Sequence, residues 1–431
     1  MERKMVMIGA GSASFTVGLV ADLLAAGFEG EWTVGLVDID PGALEVAHGL
    51  VSRMVERKGA SIKIEASTDR RDILPGATMV STTIQVGGRM AWERDIMVPR
   101  EHGIFQPVGD TVGAGGISRA MRQIPPMLDI AEDVARLCPD AYFLNYSNPM
   151  AAICRAVNKH TPARVTGLCH GVQGTLRYLC AIIGVPYEEA SSLYLGMNHL
   201  TWITHFTRHG EDLWPMVNAK LGKLSPKDNP FAWEMYRAHG AFPAVLDRHI
   251  TEFYPERFGT GEYYGMTLGL DEHDILAVIH GGDDRYQQMA RQARGEEPLE
   301  DGLFTRTLGE HEALVPILKS LLLDEQAIFP MNVPNETVAG VPPGFVLEMP
   351  VIAARAGCLP MGLPEMPIAV TAWTVEALYG VELTVEAAVK GDRGTMVEAL
   401  LYERVVNDLA TAEKLADDLL AAHEEHLERF R

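Results

Sequence analysis

Positive charge is in short supply in this chain: 37 Lys and Arg stand against 58 Asp and Glu, a net charge of −21. Nucleic acids and anionic bilayers are gripped through a basic face, so neither is an expected partner. Cysteine is also sparse. Five residues (Cys138, Cys154, Cys169, Cys180 and Cys358) are an odd number, widely scattered. A disulfide scaffold needs an even, dense set, so these are expected to be free thiols in a cytoplasmic protein. No stretch approaches about 18 uncharged apolar residues, which argues against a membrane span. No basic segment followed by an apolar one precedes the first strand-like run, so no signal peptide is expected. Internal repeats and low-complexity linkers are missing too.

What is present suits a large folded protein. The 431 residues, 47% of them hydrophobic, allow two substantial folding units. Over the first 200 positions, short β-rich runs alternate with helical segments. The runs are Met5–Ile8, Thr33–Val37, Ile62–Ala66, Met79–Gln85, Ala141–Leu144 and Arg164–Gly167. The helical segments lie near 14–26, 41–58, 118–137, 149–160 and 172–184. That alternation predicts an α/β fold with a Rossmann-like, doubly wound parallel sheet covered on both faces. After about residue 200 the texture changes, and long helical patterns dominate from about 285. We expect a nucleotide-binding domain over 1–200. A mixed α+β, largely helical domain is expected over 201–431, carrying substrate-binding, catalytic and assembly functions and closing over the strand ends.

Gly9-x-Gly11 ends the first strand, and Ser12 and Ser14 open a helix. Glycine lets the backbone approach a pyrophosphate, whose charge the helix N–H groups attract. Ser14 stands where the usual third glycine would be, so the fingerprint is incomplete. Asp38, closing the second strand-like run, can hold both ribose hydroxyls and would repel a 2′-phosphate, which favours NAD over NADP.

A second constellation is Cys169 and His199, each just after a strand-like run. Together they suggest a divalent metal held by only two protein ligands, its open positions left for substrate hydroxyls and water. Alone, each residue has a blander reading: an inert buried thiol and a satisfied core histidine.

Several segments together resemble the NAD- and metal-dependent glycosidases of glycoside hydrolase family 4. They are Gly9-Ala10-Gly11-Ser12, Gly109-Asp110-Thr111-Val112-Gly113-Ala114-Gly115-Gly116, Asn145-Tyr146-Ser147-Asn148-Pro149-Met150, Cys169-His170-Gly171-Val172 and Asn198-His199-Leu200-Thr201-Trp202. The resemblance covers the first 200 residues well and the region after about 285 only loosely. It implies a redox-assisted elimination with NAD and Mn2+ as cofactors: oxidation at C3, removal of the C2 proton, loss of the glycosidic oxygen, addition of water and re-reduction. This family is an exception to hydrolysis by paired carboxylates.

The resemblance makes Cys169 and His199 the metal ligands and Asn148 a substrate contact, with Asn198 a second. His170 stands where the phospho-sugar members carry Asp, and a general acid is expected there; histidine suits that role near neutral pH. The C2 base is expected in Asp247-Arg248-His249, with Asp247 first, then His249, and Tyr254 behind. Trp92 falls where the phospho-sugar branch carries a phosphate-gripping Arg, although Arg89 and Arg94 are close by. With Cys-His in place of Cys-Asp, this points to an unphosphorylated α-glycoside. Arg248 could pair with a C6 carboxylate, which leans the expectation to an α-galacturonide or α-glucuronide, with α-galactoside and α-glucoside open. Its alternative is an ion pair with Glu252 or Asp247. The family also implies a homodimer or homotetramer. Two rival classes are a 2-hydroxy-acid dehydrogenase, which needs no metal thiol, and a silent NAD-binding sensor.

Overall fold

In the computed structural model, residues 3–12, 15–305, 313–363 and 366–431 are described. Six parallel strands are built from the first half: β1 (Arg3–Ile8), β2 (Trp32–Val37), β3 (Ile62–Ser67), β4 (Met79–Thr82), β5 (Tyr142–Asn145) and β6 (Val165–Gly167). They lie in the order β3-β2-β1-β4-β5-β6, every neighbouring pair parallel. Order reverses between β1 and β4, which opens a crevice at their C-terminal ends, the ligand position of doubly wound sheets. β2 and β4 are buried along their whole length, as strands covered on both faces must be, hence their unbroken apolar character. Asp40 begins the helix Pro41–Lys58 by accepting the N–H groups of Gly42 and Ala43, and Gly59 ends it in a left-handed conformation.

The expected strands and helices of this half are found, with small differences. The strand read as Met79–Gln85 stops at Thr82. A helix over Gly88–Glu101 was not foreseen, and the one expected from 118 starts at Gly113.

Beyond β6 the sheet continues, antiparallel. β7 (Ala190–Met197) and β8 (Leu200–Arg208) form a hairpin, but β7 does not lie beside β6. Two strands from far down the chain, Ala327–Pro334 and Val346–Ala354, sit between them. Asn332 pairs with Gly167 and Glu348 with Gly196. The result is one thirteen-stranded sheet. Neither inserted strand was legible in a region that reads as helical. One apolar core runs from Met5 to Leu427, and a smaller one gathers Phe206, Trp233 and Phe242 behind the hairpin.

One helix comes near membrane length, although Glu376, Glu382 and Glu386 interrupt it. Helix Ile368–Lys390 is long and apolar enough by composition. It instead packs on the first half, where its Glu382 pairs with Arg155 and Lys159 on helix Met150–His160. The tail is tied back as well. Asp95 and Arg122, both fully buried, form a bidentate pair, and His423 reaches Asp95 at 3.0 Å.

Glu403 caps the N-terminus of helix Gly113–Leu137 from the far end of the chain, accepting the Gly113 N–H at 2.6 Å. Burial pushes its carboxyl up to about 7, against about 4.3 in an unfolded chain. The folded state therefore holds the extra proton. The stability this adds is full below about pH 4 and is lost as pH rises through about 7. Glu403→Gln should flatten the fall in urea-measured stability between about pH 5 and pH 8. A slope identical to that of the parent chain would show that this carboxyl ionises freely.

Candidate active site

The crevice at β1 carries the first part of the site. Gly9 has φ +89°, and a Cβ there would lie 2.8 Å from the Thr83 carbonyl carbon, so only glycine fits. The Gly11 N–H donates to Asp38 Oδ2 at 2.8 Å, and Asp40 N–H donates to Oδ1. These bonds fix the Asp38 carboxylate, half-buried, at the end of β2 with lone pairs still open. Ser12 accepts the Phe15 N–H at the start of the helix Phe15–Ala26. Ser14 lies outside the described residues.

Glycines build the second part. Cβ atoms at Gly115 and Gly116 would collide with the Gly109 carbonyl oxygen and the Thr111 carbonyl carbon, at 2.6 and 2.5 Å. The loop 109–112 therefore folds directly onto the first turn of helix Gly113–Leu137, which aims Asp110 and Thr111 at the hairpin turn of β7 and β8. Thr111 donates its hydroxyl to Asp110 Oδ1 at 2.8 Å and faces His199 Nδ1 at 2.6 Å. With its proton given to the carboxylate, Thr111 accepts from His199 Nδ1–H, so the lone pair of His199 sits on Nε2. That nitrogen faces Cys169 Sγ at 3.6 Å. The Gly171 N–H, in the first turn of helix Gly171–Ile183, points at the same sulfur and favours the thiolate. The two expected metal ligands are thus brought together.

Burial drives His199 down to about 4, helped by the charges of His170 and Arg248 and opposed by Asp110. His249 is pushed the same way by burial and by His199. Both rings are neutral at pH 7, as ligands or proton acceptors must be. They lie 4.0 Å apart, centre to centre. Asp110, His199 and His249 offer donor atoms within 4.8 Å of one another. Burial works to raise the Asp110 carboxyl; His199 and His249 oppose it when protonated, and the Arg119 charge and the Thr111 hydroxyl oppose it at any pH, so the group is held low. Asn148 donates Nδ2 to Asp110 Oδ2 at 2.9 Å, leaving its own Oδ1 buried and unpartnered. His170 sits half-buried at the mouth of helix Gly171–Ile183, next to Cys169.

Asp247 is the correction. Its carboxylate is fully buried and accepts the N–H groups of Phe231 and Ala232 and the hydroxyl of Tyr263, at 2.9, 2.7 and 2.6 Å. It is spent on anchoring helix Pro230–His239 and is not brought into the cluster. Tyr254 stacks edge-on against Phe231 and tilts against Trp373, and burial raises its pKa. Arg248 pairs with neither candidate carboxylate: Glu252 takes the N–H groups of Val108 and Gly109 instead. The Arg248 Nε is buried without a partner. Arg89 and Arg94 are engaged elsewhere, with Asp283 and Glu425. Trp92 bonds the Val108 carbonyl, and the buried Arg119 lies over its ring.

Asp110, Thr111, Arg119 and Glu348 had no assigned role in the sequence reading. Asp110 and Thr111 were visible within a glycine-rich motif. The signal for Glu348 was one carboxylate inside the apolar run Val346–Ala354.

One chain thus carries a Rossmann-type crevice and a buried thiol–imidazole pair. Residues 4–185 match the family model described as "Family 4 glycosyl hydrolase", and 194–406 match its C-terminal domain. The chain belongs to family 4 of the glycosyl hydrolases and is a glycosidase. It is 28% identical to an alpha-galactosidase of Bacillus subtilis, with all of both chains covered. It is 29% identical to an alpha-galacturonidase of Thermoanaerobacterium saccharolyticum, covering 98% of this chain and 96% of that one. A solved 6-phospho-alpha-glucosidase from gut microorganisms, crystallised with NAD and Mn2+, superposes with a TM-score of 0.87 over 100% of both chains at 19% identity. A malate dehydrogenase of Plasmodium falciparum superposes at 0.53 over 91% of this chain and 99% of that one, with 14% identity, and shares the fold alone.

Asp247→Asn should cost roughly 1–3 kcal/mol in urea unfolding, because one buried N–H or hydroxyl loses its acceptor. Turnover per folded molecule should stay within about threefold. A hundredfold loss of kcat at parental stability would return Asp247 to the chemistry.

Proposed function

We propose that the chain hydrolyses an unphosphorylated α-hexoside, an α-hexuronide in particular, with NAD+ in the β1 crevice and a divalent ion such as Mn2+ on Cys169 and His199. The observation that carries this reading is the thiol–imidazole pair. Cys169 Sγ and His199 Nε2 stand 3.6 Å apart, close enough for both to hold one divalent ion. The Asp110–Thr111 relay gives the ligating ring the outer hydrogen bond that such sites use. Asp38, Gly9 and Gly11 suit the ribose and pyrophosphate of NAD+, and the strongly exposed Ile39 beside Asp38 offers an apolar surface to a flat base.

When bound, the nicotinamide supplies reversible hydride exchange at the sugar ring, and the ion supplies Lewis acidity beside it. The chain's own part is proton handling and grip. With Asp247 occupied, His249 takes the C2 proton: its ring is neutral and its Nδ1 is buried without a partner. His170 gives a proton to the departing glycosidic oxygen. Asn148 Oδ1 accepts a sugar hydroxyl; Asn198, expected as a second substrate contact, is fully buried with its Nδ2 on Glu348 and instead steadies the turn that carries His199.

Arg248 favours a uronide. Its Nε is buried without a hydrogen-bond acceptor, and a C6 carboxylate would offer two oxygens to the guanidinium fork. The engagement of Arg89 and Arg94 elsewhere leaves neither free for a 6-phosphate. A homo-oligomer is supported by the apolar side chains left exposed at Ile368, Tyr379 and Leu409. Cysteines that form no disulfide among the described residues suit the cytoplasm.

Aryl α-hexuronides and neutral aryl α-hexosides, assayed with NAD+, Mn2+ and reductant, test the reading. Turnover should need all three additions and produce no net NADH, with solvent deuterium entering C2 of the released sugar. Steady NADH accumulation on a 2-hydroxy acid would favour a dehydrogenase instead. Cys169→Ser should abolish turnover and leave NAD+ binding unchanged; full activity would remove the metal assignment. Arg248→Ala should lower kcat/KM for the uronide by about a hundredfold, the scale of a lost charge-assisted pair, and barely touch the neutral hexoside.

A further inference from the structure

Glu348 is a fully buried carboxyl that the proton chemistry above does not use. It lies on the inserted strand Val346–Ala354, opposite Gly196 of β7 and opposite Asn332 of the neighbouring strand. Its Oε2 meets the Thr201 hydroxyl at 2.6 Å. Its Oε1 accepts Nδ2 of Asn198 at 3.4 Å and of Asn332 at 3.3 Å. Asn198 and Thr201 flank His199 at positions −1 and +2. One carboxyl therefore holds both sides of the turn that carries the imidazole.

That turn needs holding. Asn198 and His199 are the whole loop between β7 and β8, and His199 has φ +64°. A positive φ in a two-residue hairpin loop is a glycine or asparagine position, and a histidine there relaxes unless its surroundings fix it. A Cβ on Gly196 would come within 2.2 Å of the Leu200 carbonyl oxygen, so the loop is also tightly closed on itself.

The acceptor role survives either protonation state. Burial raises the Glu348 pKa, and Thr201 also has the Met197 carbonyl at 2.9 Å as an acceptor. If Glu348 carries a proton on Oε2, it donates to Thr201, whose hydroxyl then turns to Met197. Oε1 remains the acceptor for both amides. What matters is an oxygen at that reach, not a charge.

We infer that Glu348 is a positioning residue for the metal site: its carboxyl oxygens clamp Asn198 and Thr201 and so hold His199 in the left-handed turn that presents its Nε2 to Cys169. The inference rests on the reading of Cys169 and His199 as metal ligands.

Two substitutions separate position from charge. Glu348→Gln keeps the reach, offers Oε1 to the amides and Nε2–H to Thr201, and removes the charge. Glu348→Asp keeps the charge and withdraws the oxygens by one methylene. Mn2+ affinity would be measured by titration calorimetry on the full chain with saturating NAD+ and no substrate, beside thermal midpoints and the Cys169→Ser variant. Expected is Mn2+ binding within about threefold of the parent for Gln and weaker by about 10–100-fold for Asp, the range for groups that orient a metal ligand. The reverse order would mean that charge matters and overturns the inference. Parental affinity in both variants overturns it as well. If Asp fails to fold, Asn198→Leu, which breaks the same clamp from the other side, should show the same loss, and parental affinity there overturns the inference. Should Cys169→Ser bind Mn2+ as the parent does, it is the ligand assignment that fails, whatever the Glu348 variants do.

Discussion

Everything at the active site hangs on the way the sheet is extended past β6. A hairpin following β6 in sequence could simply have paired with it. Instead Ala327–Pro334 and Val346–Ala354 fill the gap, each by main-chain pairing to a strand of the first half. This spacing sets where the β7–β8 turn stands relative to the end of β6, hence the separation of Cys169 from His199. The inserted strands also bring Glu348 and Asn332 beneath that turn. The proposed metal site, with two protein ligands, would have no redundancy, so its geometry would have to come from the rigidity of the sheet around it.

The buried charge at the site is arranged by the same logic. Asp110 is buried yet held low, with the Arg119 charge and the Thr111 hydroxyl acting on it even where His199 and His249 are neutral. It orients Thr111 and Asn148 at once. Removing it would take away the larger of the two carboxylate fields that act on the buried Arg119, which is why such a cluster tolerates little change. Glu252 completes the arrangement by accepting the main-chain N–H groups just before Asp110, with burial and the nearby Asp110 charge raising its carboxyl to about 8. The loop 108–111 is thus held from below by Glu252 and from the side by the glycines of helix Gly113–Leu137.

Much of this was legible beforehand, for physical reasons. Parallel strands buried on both faces must be apolar throughout, so β1 to β6 stood out, and the helices between them followed from spacing. Gly9, Gly11 and Asp38 could be read because a close backbone approach and a strand-end carboxylate leave local marks. Asp247 misled because its neighbours in sequence, Arg248 and His249, do face the site; one helical turn points successive residues in different directions, and Asp247 points into the core. Glu348 was missed for the opposite reason: it stands in an apolar run, and its nearest ionisable neighbour in sequence, Arg355, gives no hint of its partners Asn198 and Thr201.

The sequence by itself determined the doubly wound half, its crevice and the family, since each rests on local periodicity or on contiguous motifs. It also supplied the thiol and the imidazole as candidates, but not their meeting. Only the tertiary structure decided that Cys169 and His199 face each other, that the Arg248 Nε is buried without an acceptor and that Asp247 is taken. Those facts depend on side chains separated by tens to hundreds of positions and brought together by strand order, and no local pattern encodes the order in which distant strands pair.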